Sequence, residues 1–399
     1  MGSNRLPRVP DSLEYPRDGV AREEARANVA REAGTRTCMH EFTPACGMVT
    51  KSFPLASCAA VQRIPPVLPR RDFPKKAQIG YSRTRVQCIA GSMLRLLFLA
   101  ALLILPAASA PAQDKGTLNP QPLPPLANPS DPKLPAKLLF GRRTTPAKVA
   151  EPQVFGFYSK GCLAGAQALP VNGPSWQVMR LSRNRFWGHP NLIAFLHRLT
   201  DKLPKSDGWH GLLIGDMSQP RGGPMLTGHA SHQVGLDADI WLTPMPDREL
   251  TREEREEMSA TMVVREDRRD VDPKVWTPGH FNAIKTAAQD PQVERILVNA
   301  AIKKALCREA KGDRSWLSKV RPYWGHDYHF HVRIKCPADS PQCKPQDPPA
   351  DNDGCGADLS KWFKESILHP KPPAKPPKPK PPLTLADLPA ACRQVVSSP

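Results

Sequence analysis

Five of the eleven histidines in the chain fall in two short windows. The first, GHASHQVGLDAD over 228–239, holds His229 and His232 with Asp237 and Asp239. The second, WGHDYHFHV over 324–332, holds His326, His329 and His331. Imidazole nitrogen and carboxylate oxygen are the usual ligands of zinc when no thiolate is offered, and a catalytic zinc keeps three protein ligands and a water. A lone histidine is more often structural, but five at this density, interleaved with acids, point to metal-assisted hydrolysis. No Gly-x-Ser-x-Gly elbow and no Gly-rich phosphate loop offers a competing chemistry.

Such ligands need rigid supports. Side chains two apart on a strand share a face, so His329 and His331 point one way, and Asp237 pairs likewise with Asp239. A pair from one window and a third ligand from the other would close a tetrahedral site. Gly222, Gly223, Gly228 and Gly235 would let the backbone turn sharply around it. Residue patterns predict helices over 191–198, opened by Pro190, and over 250–258, 282–289 and 300–306. They predict strands over 212–214, 238–242, 295–299 and 329–334. With helices and strands mingled and no βαβ repeat, the expected fold class is α+β, a mostly antiparallel sheet flanked by helices and long loops.

The totals of 47 Pro, 10 Cys and a net charge of +18 are averages over unlike segments. A 40% hydrophobic fraction supports a core and excludes wholesale disorder. No apolar run reaches the roughly 20 residues of a membrane span, which excludes a polytopic membrane protein. The one sustained apolar run, LLFLAALLIL over 96–105, follows Met93 and Arg95 and precedes small residues ending at Ala110 or Ala112. These are the parts of a signal peptide over 93–112, with cleavage after Ala112 preferred because Pro111 hinders the earlier site. Residues 1–92 are therefore expected to be a spurious, disordered upstream extension read in frame before a true start at Met93.

The exported chain then has a Pro-rich lead over 113–150, a domain over 151–368, a Pro/Lys-rich arm over 369–383 and a tail over 384–399. Residues 1–92 carry 15 basic and eight acidic groups and Arg95 adds one more, so the surplus of 18 falls to 10 for residues 113–399. The cysteines fall to six, an even number that argues for three disulfides in an oxidising compartment, with 15 pairings open. No CxxC is among them, so a thiolate zinc site is not expected.

The pattern His-x6-Asp from His232 to Asp239, followed by His329-Phe330-His331, resembles the LAS group of zinc peptidases. The stretches GHASHQVGLDADIWL, VRPYWGHDYHFHVRIKCPADSPQC, VMRLSRNRFWGHP and AAQDPQVERILVNAAIKKALC resemble more closely the penicillin-insensitive murein endopeptidases, over about residues 152–366 and on to Cys392. The resemblance implies an LAS-type core holding one zinc on His232, Asp239 and His331, with His229 at the metal as a further ligand or close neighbour. It implies that His326 and His329 act on the reacting water or the tetrahedral intermediate, His329 as base or as oxyanion stabiliser. It implies the pairs Cys162–Cys392, Cys307–Cys355 and Cys336–Cys343, the first tethering the tail. Some relatives carry a second metal on an Asp and a His three residues apart; here Asp267 and Asp270 are the only candidates, and Asp270 stands where that His would be. Asp237, unliganded in this scheme, is expected to hold a ligand imidazole by hydrogen bonding, the alternative being an ordinary turn or surface acid.

The implied activity is zinc-dependent hydrolysis of D-alanyl–meso-diaminopimelyl crosslinks in the periplasm, with peptidoglycan as partner and no stable membrane span after signal removal. Nucleic acid, the usual partner of a basic chain, is not expected because an aromatic-basic platform is missing. The competing readings are a related zinc D,D-carboxypeptidase or amidase and a non-catalytic peptidoglycan-binding module.

Overall fold

The structure, a computed structural model, describes residues 115–203, 209–371, 375 and 380–399. The upstream extension, the signal peptide and residues 372–374 and 376–379 of the Pro/Lys arm lie outside the described residues. No helix among the described residues is long and apolar enough to cross a membrane.

The strands, in chain order, begin with β1 (Gln153–Phe157), β2 (Lys160–Ala164), β3 (Gln167–Ala168), β4 (Asn172–Gly173), β5 (Trp176–Val178) and β6 (Trp187–Gly188). They continue with β7 (Leu212–Ile214), β8 (Asp237–Trp241), β9 (Val293–Val298), β10 (Val320–Pro322) and β11 (His329–Ile334). Seven of them form one sheet in the order β10-β9-β11-β8-β7-β5-β4. The central pairs β9/β11, β11/β8 and β8/β7 are antiparallel. The helices that matter here are α1 (Pro190–Lys202), α2 (Arg252–Glu257), α3 (Pro278–Gln289), α4 (Ala300–Glu309) and α5 (Ala391–Ser397).

The expected α+β class holds, with one difference in topology. β5 and β7 are parallel neighbours with α1 between them in sequence, and β9 and β10 are parallel neighbours joined through α4. Two βαβ crossovers therefore flank the antiparallel centre, where no βαβ repeat is expected from the sequence. β5, β7 and β10 have three residues each, too few for a period of two to show itself. α3 also starts earlier than its apolar pattern suggests. Pro278 takes the first helical position, where its missing N–H costs nothing, and Thr277 caps it.

The helices form where sequence supplies both an apolar stripe and a start signal. α1 opens on Pro190, and its N-cap His189 accepts from the Asn191 N–H through Nδ1 at 3.2 Å. It buries Leu192, Ile193, Phe195, Leu196 and Leu199, the i, i+3, i+4, i+7 face of a helix. α4 is capped by Asn299, whose Oδ1 accepts from the Ala301 N–H at 2.9 Å. This apolar surface meets one face of the sheet, where Ala238, Ile240, Ile296, Val298, Phe330, Val332 and Ile334 are buried in a single core. The alternate residues of the same strands, polar except for Trp241 and Leu297, occupy the other face, yet β8 and β11 are buried along their whole length. The polar face is covered too.

Part of the Pro-rich lead is ordered against the tail. A short helix, Ala136–Phe140, buries both end residues in a second cluster with Ala164, Leu388, Val395 and the Cys162–Cys392 disulfide. Arg221 donates through Nη1 to the carbonyls of Val395 and Val396 at 3.0 and 3.3 Å, a cation satisfying the free carbonyls at the end of α5. Disulfides also join Cys307 to Cys355 and Cys336 to Cys343, the pairs that the resemblance implies.

The Cys162–Cys392 bridge closes a loop across a sequence separation of 230 residues. Replacing both cysteines by Ala should cost about 2–5 kcal/mol of stability, read as a lower urea midpoint. Limited proteolysis should then cut residues 384–399 before the sheet.

Candidate metal centre

β8 and β11 pair with His331 opposite Asp239 and Arg333 opposite Asp237. Paired residues share a face, so these four side chains and His329 stand together on the polar side of the sheet. Asp239 is at the middle. Its Oδ1 lies 3.0 Å from His331 Nδ1, 3.4 Å from His232 Nε2 and 3.7 Å from His329 Nε2; its Oδ2 lies 3.5 Å from His229 Nδ1. One donor atom from each of His229, His232 and Asp239 lies within 4.8 Å of the others, a spacing that can hold a metal ion.

Burial supplies an independent test of that fit. The His232 side chain is fully buried, yet neither of its ring nitrogens has a hydrogen-bond partner. His329 Nδ1 and His331 Nε2 are buried without one as well. Leaving a buried polar group unsatisfied costs roughly 1–3 kcal/mol, and a cation at this donor set would remove part of that cost. Nitrogen and oxygen donors without thiolate suit zinc. The residues present fit the ion.

The loop before β8 brings His229 and His232 to the carboxylate. His232 itself adopts φ +64°, a left-handed conformation that costs a non-glycine residue roughly 1–2 kcal/mol. Its backbone N–H donates to Asp237 Oδ2 at 3.0 Å, which holds that conformation in place. Gly235, at φ +67°, allows the close pass that follows, because a Cβ there would meet Leu163 at 2.3 Å. Asp237 is fully buried and takes Arg333 through Nε at 2.7 Å. Its Oδ1 also lies 3.2 Å from His331 Nε2, close enough for charge interaction but not aligned as a hydrogen bond. Asp237 thus stands behind the imidazole without the hydrogen bond expected of it, and holds the His232 backbone instead.

Asp216 is a site residue that spacing alone does not reveal. It follows β7, and its Oδ2 lies 3.0 Å from His229 Nε2, 2.9 Å from Arg183 Nη1 and 2.8 Å from Arg185 Nη1. His229 is thereby clamped between Asp216 and Asp239. Arg333 could have been found from the sequence, since it stands two residues beyond His331 on one strand. Arg183, Arg185 and Asp216 carry no such signal, because their meeting depends on how the loop over 181–186 folds past the end of β7.

Burial opposes charge throughout the site. It pushes His329 down to about 4, only partly offset by Asp239, and it pushes His326 well below the ordinary imidazole value, with His329 and His331 adding to the effect. Both rings are therefore neutral near pH 7. His331 runs the other way: burial would lower it, but the Asp237 and Asp239 carboxylates raise it to about 9. Asp237 and Asp239 stay ionised against burial, the first because of Arg333 and His331, the second because of His232, His329 and His229. His326, at φ +56°, donates its Nδ1–H to the Trp324 carbonyl at 2.7 Å and leaves Nε2 as an acceptor; its ring centre is 4.7 Å from that of His329.

Asp267 and Asp270 are not brought to a metal. Asp267 is bound by Arg265 and the Arg269 N–H, and Asp270 by Arg308 and Lys304. Among the described residues only His229, His232 and Asp239 meet the metal-holding spacing. Elsewhere, His280 places its Nε2 3.0 Å from the Leu242 carbonyl, and His189 caps α1 through Nδ1 while its Nε2, like that of His197, is buried without a partner but belongs to no second ligand set among the described residues.

A family model described as penicillin-insensitive murein endopeptidase matches residues 154–397. Proteins of that name match as well. The one from Haemophilus influenzae is 45% identical over 260 residues, covering 65% of this chain and 87% of its own length. That from Yersinia enterocolitica is 45% identical over 247 residues (62% and 86%). That from Pectobacterium atrosepticum is 47% identical over 212 residues (53% and 75%). The chain belongs to this family.

Arg333→Met would leave the fully buried Asp237 carboxylate without its cation. Breaking a buried pair in this way should cost about 3–5 kcal/mol, visible as a lowered urea midpoint at neutral pH. A loss below 1 kcal/mol would show that Asp237 does not depend on Arg333.

Proposed function

As a member of that family, the chain is, we propose, a zinc-dependent murein endopeptidase that hydrolyses D-alanyl–meso-diaminopimelyl crosslinks of peptidoglycan. The observation that carries this reading is the gathering of nitrogens from His229, His232 and His331 within 3.0–3.5 Å of the Asp239 carboxylate, with both ring nitrogens of the buried His232 left without a hydrogen-bond partner. His232, Asp239 and His331 would be the core ligands and His229 the further one. A zinc bound there would lower the pKa of water to about 7 and polarise a scissile carbonyl.

The protein's own groups divide the remaining work. His329 is neutral, stands beside Asp239 and has a buried Nδ1 with no partner, which suits it to accept a proton from the attacking water and return it to the leaving amine. His326, with its tautomer set by the Trp324 carbonyl, supports the same transfer through Nε2. Asp216 and Asp237 orient His229 and His331 from behind. One metal per chain is expected, since Asp267 and Asp270 are occupied by arginine and lysine side chains. Action in the periplasm is supported by the three disulfides, which need an oxidising compartment, and a surplus of basic charge favours an anionic wall.

Purified muropeptides provide the test. Crosslinked dimers should be converted to monomers by the zinc-loaded protein; removal of a terminal D-alanine alone would reject the endopeptidase. His232→Ala or Asp239→Ala should lose both zinc and activity with the disulfides intact. His329→Ala should keep its zinc and lose about 10²–10⁴-fold in kcat. A wild-type protein that binds wall but no zinc would overturn the enzymatic reading.

A further inference from the structure

The sheet face that bears the histidines continues beyond them. Arg333 on β11 lies opposite Arg295 on β9, and His331 lies opposite Leu297, which in turn pairs with Arg321 on β10. Arg295 and Arg321 therefore share the face of His331. Arg321 is two strands from it, roughly 10 Å across the sheet. Above these arginines opens a cavity of about 500 Å³, walled by Phe157 and by the Pro-rich segment 345–350.

Both guanidinium groups are incompletely satisfied. Arg295 donates through Nη2 to the Asp347 carbonyl at 2.7 Å, but its Nε is buried without a partner, and so is Arg321 Nη1. Arg295 feels burial first and the like charge of Arg333 next, with Arg321 adding to it. The nearby carboxylates are engaged elsewhere: Asp237 with Arg333, Asp353 with Arg314, Asp358 with Lys361, and Glu294 accepting from the Tyr158 hydroxyl. Glu294 acts on Arg295 only at longer range, and Asp347 offers an exposed carboxylate at the rim. Among the described residues neither Arg295 nor Arg321 forms an ion pair. Two cations stand side by side, half-buried beneath a wall of prolines, Gln346 and Asp347, with a buried N–H group of each left unpartnered and neither one in an ion pair.

We propose that this cavity binds a free carboxylate of the substrate's peptide stem, with Arg321 and Arg295 as the recognising residues. The inference rests on the endopeptidase reading for the identity of the peptide. A planar guanidinium fork matches a carboxylate in two parallel hydrogen bonds, and Phe157 and the prolines narrow the cavity beside the pair. The spacing is apt: roughly 10 Å is about three residues of extended chain, so a peptide cleaved at the histidines reaches the arginines with a nearby stem carboxylate. The wall is also tied to the metal site. Gln346 accepts from Arg333 Nη1 at 2.7 Å, and Arg333 holds Asp237 behind His331.

The test is a double-mutant cycle between protein and substrate. Wild type and Arg321→Gln are each given a crosslinked muropeptide dimer with free carboxylates and the same dimer with those carboxylates amidated. Losing a charge-assisted pair should cost about tenfold or more, so amidation should raise the wild-type KM by that factor while kcat changes little. Arg321→Gln should raise KM for the acid dimer by a similar factor and leave KM for the amidated dimer unchanged. Arg295→Gln should behave alike, and Arg321→Lys should recover part of the loss. An unchanged KM in both glutamine variants, or equal losses on both dimers, overturns the proposal. If wild type cleaves neither dimer, the endopeptidase reading has failed on its own. Calorimetric binding of the uncrosslinked tetrapeptide stem then decides the carboxylate site: about tenfold weaker binding by Arg321→Gln supports it, and equal binding sinks it.

Discussion

Asp237 is the point at which the two histidine windows are fastened together. One oxygen accepts the backbone N–H of His232 and keeps that residue in a left-handed conformation; the other lies behind His331. Arg333 makes this possible, because a fully buried carboxylate could not stay charged without a partner. The neighbouring Asp239 can then gather the imidazoles on its own oxygens. The rest of the site follows from where β8 puts these two acids. Every additional contact either positions a ring around Asp239 or neutralises what the burial of Asp239 has made costly.

This explains a division within the sheet. The apolar residues of β8, β9 and β11 face the helices and supply the core, while the alternate positions on the same strands carry nearly all the charge. A single set of strands thus furnishes both stability and chemistry, and a shift of register by one residue would exchange the two. The helices cover one side. Loops, the β1–β2 hairpin and the 345–350 segment border the other, which keeps imidazoles and guanidiniums in a setting where their charges count for more than in water.

What was legible in the sequence was what local spacing encodes. The alternation in HFHVRI gives β11 and its polar face, and DADIW gives the same for β8, so the imidazoles and both acids stand out. The helices show through their apolar stripes. Arg333 follows from the same parity, but a guanidinium is not a metal ligand and so carries no ligand signal of its own. Asp216 is different: nothing in its neighbourhood announces that Arg183, Arg185 and His229 will converge on it. The parallel pairing of β5 with β7 and of β9 with β10 was hidden by strands of three residues. The meeting of Arg295 with Arg321 depends on that hidden pairing, so it belongs to topology alone.

The bridge from Cys162 to Cys392 gives the molecule a property that hydrogen bonds cannot. Both histidine windows, the whole of β8 and β11 and the Arg295–Arg321 pair lie inside the ring that it closes. A single backbone cut anywhere between the two cysteines therefore leaves one covalent molecule, with both halves of the site still joined. The ring cannot close until the segment bearing Cys392 has been synthesised behind all of those elements. The domain is built to be nicked without coming apart.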